Sequence, residues 1–141
     1  MDANRVANLL PNRFGSFLLG SAIGVNLNAT GDTLITLLGN PAKYRITKIA
    51  VTNSSVASPS TVNLGFWTAS AASGTAIVTA GTLLSSGLAS TAAILNLTIV
   101  TAVGNTVLTN ATAGGIYLNV AIAQGATATA DFYVWGDIIQ N

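Results

Sequence analysis

The side chains that most often carry catalysis are scarce in this chain. It has no His, Cys or Glu, and its only carboxylate side chains are Asp2, Asp32, Asp131 and Asp137. Acid–base catalysis needs groups that titrate near neutrality within hydrogen-bond reach. Asp131 and Asp137 share a face of one predicted strand, but six positions at about 3.3 Å each put them roughly 20 Å apart. Paired glycosidase carboxylates lie only about 5–10 Å apart. We therefore predict solvent-facing turn or edge positions for the Asp residues.

The other reactive side chains form no pattern typical of a catalytic or metal site. A nucleophilic Ser or Thr needs an adjacent base, and no Ser-x-x-Lys spacing accompanies Lys43 or Lys48. Zinc ligands other than Asp are missing, no Asp-x-Asp spacing indicates calcium, and no glycine-rich phosphate loop precedes a Lys. The sequence therefore predicts a protein that is not an enzyme and binds neither a cofactor nor a metal.

Charged residues are few and unevenly distributed. They make up 6% of the chain, against about 25% in a typical domain, and none lies between Lys48 and Asp131. Nucleic-acid binding needs clustered cations that displace counterions, so no such partner is predicted. The most apolar segment, residues 14–25, is too short to span a bilayer, and no membrane association is predicted. Two interpretations of this uncharged surface are open. Either much of it is buried in contacts with partner proteins, or it is a solvent-exposed β surface whose polar residues are Thr, Ser and Asn.

From residue 21 onward the sequence has the composition of β-strands separated by turns. In residues 44–52 the alternation slips by one position, which predicts a β-bulge near Thr47 and Lys48. No long window keeps a helical period. We therefore predict an all-β fold, a single jelly-roll-like β-sandwich of about eight strands over residues 21–141, with an immunoglobulin-like sandwich as the alternative. Alternating side chains predict further strands at residues 62–68, 94–100, 116–123 and 129–137. The predicted core face of the strand at 116–123 has Ile116, Leu118, Val120 and Ile122, and that of the strand at 129–137 has Ala130, Phe132 and Val134.

Residues 1–20 differ from the rest of the chain and are predicted to form an extended N-terminal arm. Asp2 is placed to cap a short helix that Pro11 ends, and no clear period follows. We expect the arm to become ordered against a partner, with Arg5 and Arg13 among its interface residues. The alternative is a segment that leads into the first strand and packs on its own domain.

Three cations, Lys43, Arg45 and Lys48, lie on or beside one predicted strand. They form either a docking patch for an acidic partner or a charged guard that protects an edge strand from uncontrolled pairing. The sequence favours edge protection but leaves both interpretations open.

Four aromatic side chains, those of Trp67, Tyr117, Tyr133 and Trp135, are predicted on outer strand faces. Large exposed aromatics usually mark an interface. The predicted roles are contact with another subunit or partner, coverage by the protein's own loops, or stacking on sugar rings. Protein contact is the leading interpretation.

Five segments of the predicted strands and turns form a recognisable set: GIYLNV (115–120), AQGA (123–126), ADFYVWGD (130–137), YRITKIAVTN (44–53) and GFWTA (65–69). In these segments the chain resembles small structural proteins of tailed bacteriophages. The resemblance implies a jelly-roll capsid cement, or decoration protein, that clamps neighbouring major capsid protein subunits from outside the head. It further implies a homotrimer on the outer capsid surface of the virion, and it carries no catalytic residues. A tail, neck or fibre component and a carbohydrate-binding adhesin remain alternatives.

Overall fold

The computed structural model describes residues 13–85, 88, 92–110 and 114–139. Strands make up most of this part, and its helix is a single turn. In the residues described, no helix has the length and apolar character needed to cross a membrane. The elements are β1 (Arg13–Asn26), β2 (Gly31–Thr36), β3 (Lys43–Thr52), β4 (Asn63–Ala69), β5 (Ser73–Gly81), β6 (Leu95–Leu97), α1 (Thr101–Gly104), β7 (Leu108–Thr109), β8 (Gly115–Ile122) and β9 (Thr129–Ile139).

The strands form two antiparallel sheets. Sheet A has the order β1-β9-β3-β6, with β7 also paired to β3, and sheet B has the order β2-β8-β4-β5. The pairing is nested, because β1 pairs with β9, β2 with β8, β3 with β6 and β7, and β4 with β5. A long antiparallel ribbon folded over into two packed sheets gives this order, which is the jelly-roll arrangement. The predicted all-β sandwich is therefore confirmed.

One face of each central strand forms the core between the sheets. The rings of Phe66 in β4 and Phe132 in β9 meet there at 5.8 Å between centroids and 59° between planes. Such a pair adds about 0.5–1.5 kcal/mol beyond the burial of its area. Ile122, expected on the buried face of β8, is instead exposed at the end of the strand. The other alternating positions are buried as predicted: Ile116, Leu118, Val120, Ala130, Phe132 and Val134.

The predicted bulge in β3 is confirmed. The register against β9 shifts between Ile46 and Lys48. Tyr44 and Ile46 before the shift are buried, and so are Ile49 and Val51 after it. The extra residue therefore turns both halves of β3 toward the same core.

The strand predicted at residues 94–100 is shorter than expected. It is reduced to β6, because the chain leaves sheet A after Leu97 and the Val100 N–H donates to the Ile77 carbonyl of β5 at 2.9 Å. On the opposite side of the sandwich, the Leu38 N–H donates to the Leu19 carbonyl of β1 at 2.6 Å. On each open side, one backbone hydrogen bond thus joins an edge strand to the segment that follows the edge strand of the other sheet.

The N-terminal boundary predicted at residue 20 is wrong for residues 13–20. These residues belong to β1, where Phe17 lies opposite Gly136 and Leu18 opposite Trp135. Leu19 is fully buried, so the apolar run at this point serves the sandwich core. The alternative interpretation, a segment packed on its own domain, describes this part correctly. Residues 1–12, including Arg5, lie outside the described residues.

Candidate binding surfaces

The four predicted outer aromatics form two pairs on opposite faces of the sandwich. Trp67 of β4 and Tyr117 of β8 are cross-strand partners in sheet B. Tyr133 and Trp135 are two positions apart on β9, in sheet A. All four are half-buried. They therefore belong to two separate surfaces, one on each sheet.

On sheet B an apolar row crosses all four strands. Leu34 lies opposite Tyr117, Tyr117 opposite Trp67, and Trp67 opposite Ala76. The Trp67 ring folds back over Gly65, where an added Cβ would lie 2.5 Å from the ring atom Cη2. Because Gly65 has no side chain, the indole packs against the strand instead of projecting from it.

The β4–β5 hairpin covers part of this face. Its tip residue Ala71 donates its backbone N–H to Asp32 Oδ2 of β2 at 2.7 Å, and Asn119 Nδ2 of β8 donates to Asp32 Oδ1 at 2.7 Å. Because β8 lies between β4 and β2, the tip reaches across the outer face of β8. Coverage by the protein's own chain, one of the predicted roles for the outer aromatics, thus applies in part to sheet B.

On sheet A, Trp135 lies between a cation and an apolar side chain. Lys48 of β3 is its cross-strand partner, and Lys48 Nζ lies 5.3 Å from the centroid of the Trp135 ring. Leu18 of β1 is its partner on the other side. A cation over an indole face is attracted by the ring quadrupole, by about 0.5–1 kcal/mol at exposed sites. This pair marks the centre of the outer face of sheet A.

Asp131 and Asp137 are buried, and the prediction of solvent-facing positions for them is wrong. They are 6% and 1% exposed. The Gly24 N–H donates to Asp131 Oδ1 at 2.6 Å, and Asn53 Nδ2 donates to Oδ2 at 3.0 Å. Arg45 Nε donates to Asp137 Oδ2 at 2.9 Å, and Arg45 Nη2 forms an ion pair with the same oxygen. Both carboxylates lie on the outer side of β9, as the alternation predicts, but donors from neighbouring strands cover them.

The three cations of β3 lie on the outer face of sheet A. Lys43 and Arg45 alternate with the buried Tyr44 and Ile46, and Lys48 follows the bulge. On the side of β3 away from β9, β7 pairs with Lys43 and Tyr44, and β6 pairs with residues 49–51. Residues 45–48, which include Arg45 and Lys48, lie between these two short pairings. The structure therefore leaves both interpretations of the three cations open, edge protection and a docking patch.

Sequence reasoning missed several polar groups that shape the outer face of sheet A. Gly24 adopts φ +62° within an irregular stretch of β1 and so directs its N–H to Asp131. Asn53, with φ +50°, follows β3 and reaches the same carboxylate. A glycine and an asparagine at strand irregularities were the available signal, because both residue types tolerate positive φ.

The described residues offer few further features of a chemical or ligand-binding site. Burial raises the pKa of Tyr44 to about 12, so this phenol stays neutral at ordinary pH. No group of three or more His, Cys, Asp or Glu among the described residues could hold a metal ion. A shallow groove of about 400 Å³ lies beside β5, and its lining is aliphatic and Thr side chains: Val78, Thr79, Leu83, Thr98, Ile99, Val100 and Thr101.

These features define a jelly-roll β-sandwich with an aromatic pair on each outer face. In comparisons with known proteins, no family model, no curated protein and no solved structure matches this chain.

Proposed function

We propose that the protein is a structural virion protein, a capsid cement that binds the outside of a tailed-phage head and clamps neighbouring major capsid protein subunits. The observation that carries the proposal is the distribution of charge. Asp131, Asp137 and Arg45 are engaged within sheet A, and no charged residue lies between Lys48 and Asp131. A free protein relies on surface charge for solubility. A surface with so little charge supports permanent contact with other subunits.

The architecture supports the same proposal. A cement protein holds capsomers against the outward pressure of packaged DNA, and many modest contacts repeated by symmetry can supply that strength through multivalency. A homotrimer, the proposed state, multiplies these contacts. The sandwich suits the task because two extensively paired sheets pack around one core, which makes a stiff body to bear the load.

The adhesin alternative has less support. A sugar site beside Tyr133 and Trp135 would use a carboxylate to accept hydrogen bonds from sugar hydroxyls. Asp131 and Asp137 are buried and already accept hydrogen bonds from the protein. Lys48 also lies over the Trp135 ring on which a sugar would stack. This arrangement favours a protein contact.

Electron cryomicroscopy of the parent particle tests the proposal. We expect density for a 14.2 kDa sandwich on the outer surface of the head, where capsid subunits meet. Particles made without the protein should release their DNA at a lower temperature than complete ones. Density at the neck, tail or fibres would favour the alternative structural role, and a particle without such density anywhere would refute a virion protein.

A further inference from the structure

We propose that the outer face of sheet A docks on an acidic patch of a different protein, with Lys48 and Trp135 at the centre of the contact. This inference rests on the proposed function, in which the partner is the major capsid protein. It adds which face of the sandwich makes the contact and what chemistry the partner must present.

Three side chains of this face, those of Trp135, Tyr133 and Arg45, belong to residue types that are enriched at protein interfaces. Lys48 lies 5.3 Å above the Trp135 ring, Tyr133 lies two positions away on β9, and Arg45 and Lys43 precede Lys48 on the outer side of β3. Aromatic residues and Arg are enriched at the centres of protein interfaces, and the residues that dominate binding energy cluster there. The half-buried rings offer apolar contact to a partner, and the adjacent cations orient the partner through electrostatic attraction.

The charge that this face presents to a partner is positive. Its carboxylates, Asp131 and Asp137, are buried beneath their donors. Lys48 is exposed, and Lys43 is partly exposed. Arg45 is offset by its ion pair with Asp137. The donors to Asp131 are neutral groups, so they do not cancel the charge of this buried carboxylate. The three cations of β3 and the two carboxylates of β9 therefore leave an excess of one positive charge, with the lysines nearer to solvent than the carboxylates. Three of the five cations in the chain lie on this one strand.

A second copy of the chain cannot supply the complementary surface. The chain has four acidic side chains, all Asp. Two of them are buried within sheet A. Asp32 is exposed on sheet B, where it accepts hydrogen bonds from Ala71 and Asn119, and Asp2 lies outside the described residues. One exposed carboxylate does not make an acidic patch. Charge complementarity therefore points to a different protein, and self-association must use another surface.

Binding of purified variants to heads of the parent virus made without this protein tests the proposal. Lys48→Glu lowers the net charge by two and puts an anion against the acidic patch. We expect an apparent affinity at least about tenfold weaker, because like charges across an interface cost several kcal/mol. The milder Lys48→Gln should weaken binding less. The matched control, Thr36→Glu with Ala121→Glu, makes the same net change at two exposed positions of sheet B and should bind like the wild type. Circular dichroism checks that every variant is folded.

Salt supplies a second measurement on the wild type. Raising the salt concentration from about 0.1 M to about 1 M shortens the Debye length from about 10 Å to about 3 Å. Binding should weaken over this range, and the Lys48→Gln variant should show a shallower dependence than the wild type.

Each other outcome overturns the inference in a different way. If the wild type fails to bind the heads, the proposed function and the inference fall together. If Lys48→Glu binds normally and the sheet B control does not, the docking face is wrong while the cement function stands. If the wild type binds immobilised heparin but not the heads, and Lys48→Glu abolishes this binding, the face recognises an anionic glycan instead of a protein.

Discussion

The backbone N–H of Ala71 donates a hydrogen bond to Asp32 Oδ2 at 2.7 Å. This bond connects the tip of the β4–β5 hairpin to β2, which is separated from β4 by β8 in sheet B. The tip is strained, because Ala71 and Ala72 have φ values of +56° and +52°. Residues other than Gly rarely adopt this left-handed conformation, which costs about 1–2 kcal/mol per residue.

Relief of this strain should stabilise the protein. We expect Ala72→Gly to raise the free energy of unfolding by up to about 1 kcal/mol, measured by urea denaturation. Gly81→Ala is the control, and we expect it to relieve no strain. Gly81 lies in β5 without a positive φ, and an added Cβ would make only ordinary contact with Leu83 at 3.4 Å. A destabilising Ala72→Gly change would show that the turn is not strained.

Asp131 should contribute to stability through its two donors. Asp131→Ala removes the acceptor of the Gly24 N–H and of the Asn53 amide. Because both donor residues are exposed, water can replace the carboxylate, and we expect a loss of about 0.5–1.5 kcal/mol for each hydrogen bond. Asp131→Asn keeps one acceptor oxygen and should cost less. Thermal unfolding of both variants checks the order. If the two variants unfold together at the wild-type temperature, these hydrogen bonds contribute nothing.

Gly136 should tolerate no side chain. A Cβ at this position would lie 1.9 Å from the carbonyl oxygen of Arg45 and 2.8 Å from Leu19 Cδ1. Because backbone cannot move aside as a flexible side chain does, we expect Gly136→Ala to destabilise the fold by about 3 kcal/mol or more. The measurement is the urea midpoint, with Gly81→Ala again as the control. A midpoint within error of the wild type would contradict the close approach of β9 and β3.

Ionisation of Tyr44 should lower the stability of the fold in strong base. Burial raises the pKa of its phenol from 10.0 to about 12, so the fold favours the neutral form. The stability that depends on a neutral Tyr44 is fully present below pH 10.0, and the free energy of unfolding declines as the pH rises toward about 12. Unfolding of the wild type and of Tyr44→Phe should be compared across this range, because Phe cannot ionise. The stability of the wild type relative to the variant should fall with pH, and parallel curves would argue against the raised pKa.

Trp135→Ala should weaken binding to the particle while the isolated fold survives, because the side chain is half-buried on an outer face. Truncation of an interface hot spot costs about 2 kcal/mol or more. Trp135→Phe, which keeps an aromatic ring beside Lys48, is the matched variant and should lose less. Sedimentation with heads measures both. Intact particle binding combined with loss of a signal on a glycan array would favour the adhesin.

What the sequence predicted correctly is what depends on local pattern. The shift of alternation within residues 44–52 was enough to place the bulge between Ile46 and Lys48, because parity along a strand is a local property. The all-β class and the buried faces of β8 and β9 follow from the same rule.

What it predicted wrongly depends on distant parts of the chain. The burial of Asp137 arises from the pairing of β3 with β9, where Arg45 meets Asp137 across 92 positions. The burial of Asp131 depends on Gly24, 107 positions away. The four aromatics were correctly predicted on outer faces, but assigning them to two different sheets required the order of the strands.

The nested strand order also governs how this chain can fold during its synthesis. β9 lies between β1 and β3, so the first strand of sheet A has no neighbour within its own sheet until translation has passed Ile139. Sheet B likewise needs β8 to join β2 to β4. Chains emerge from the ribosome at about 5–20 residues per second. The apolar faces of the early strands therefore have no partner strands in their own sheets for several seconds. During that interval a nascent chain of this design exposes apolar surface and unpaired strand edges, which are the features that promote aggregation.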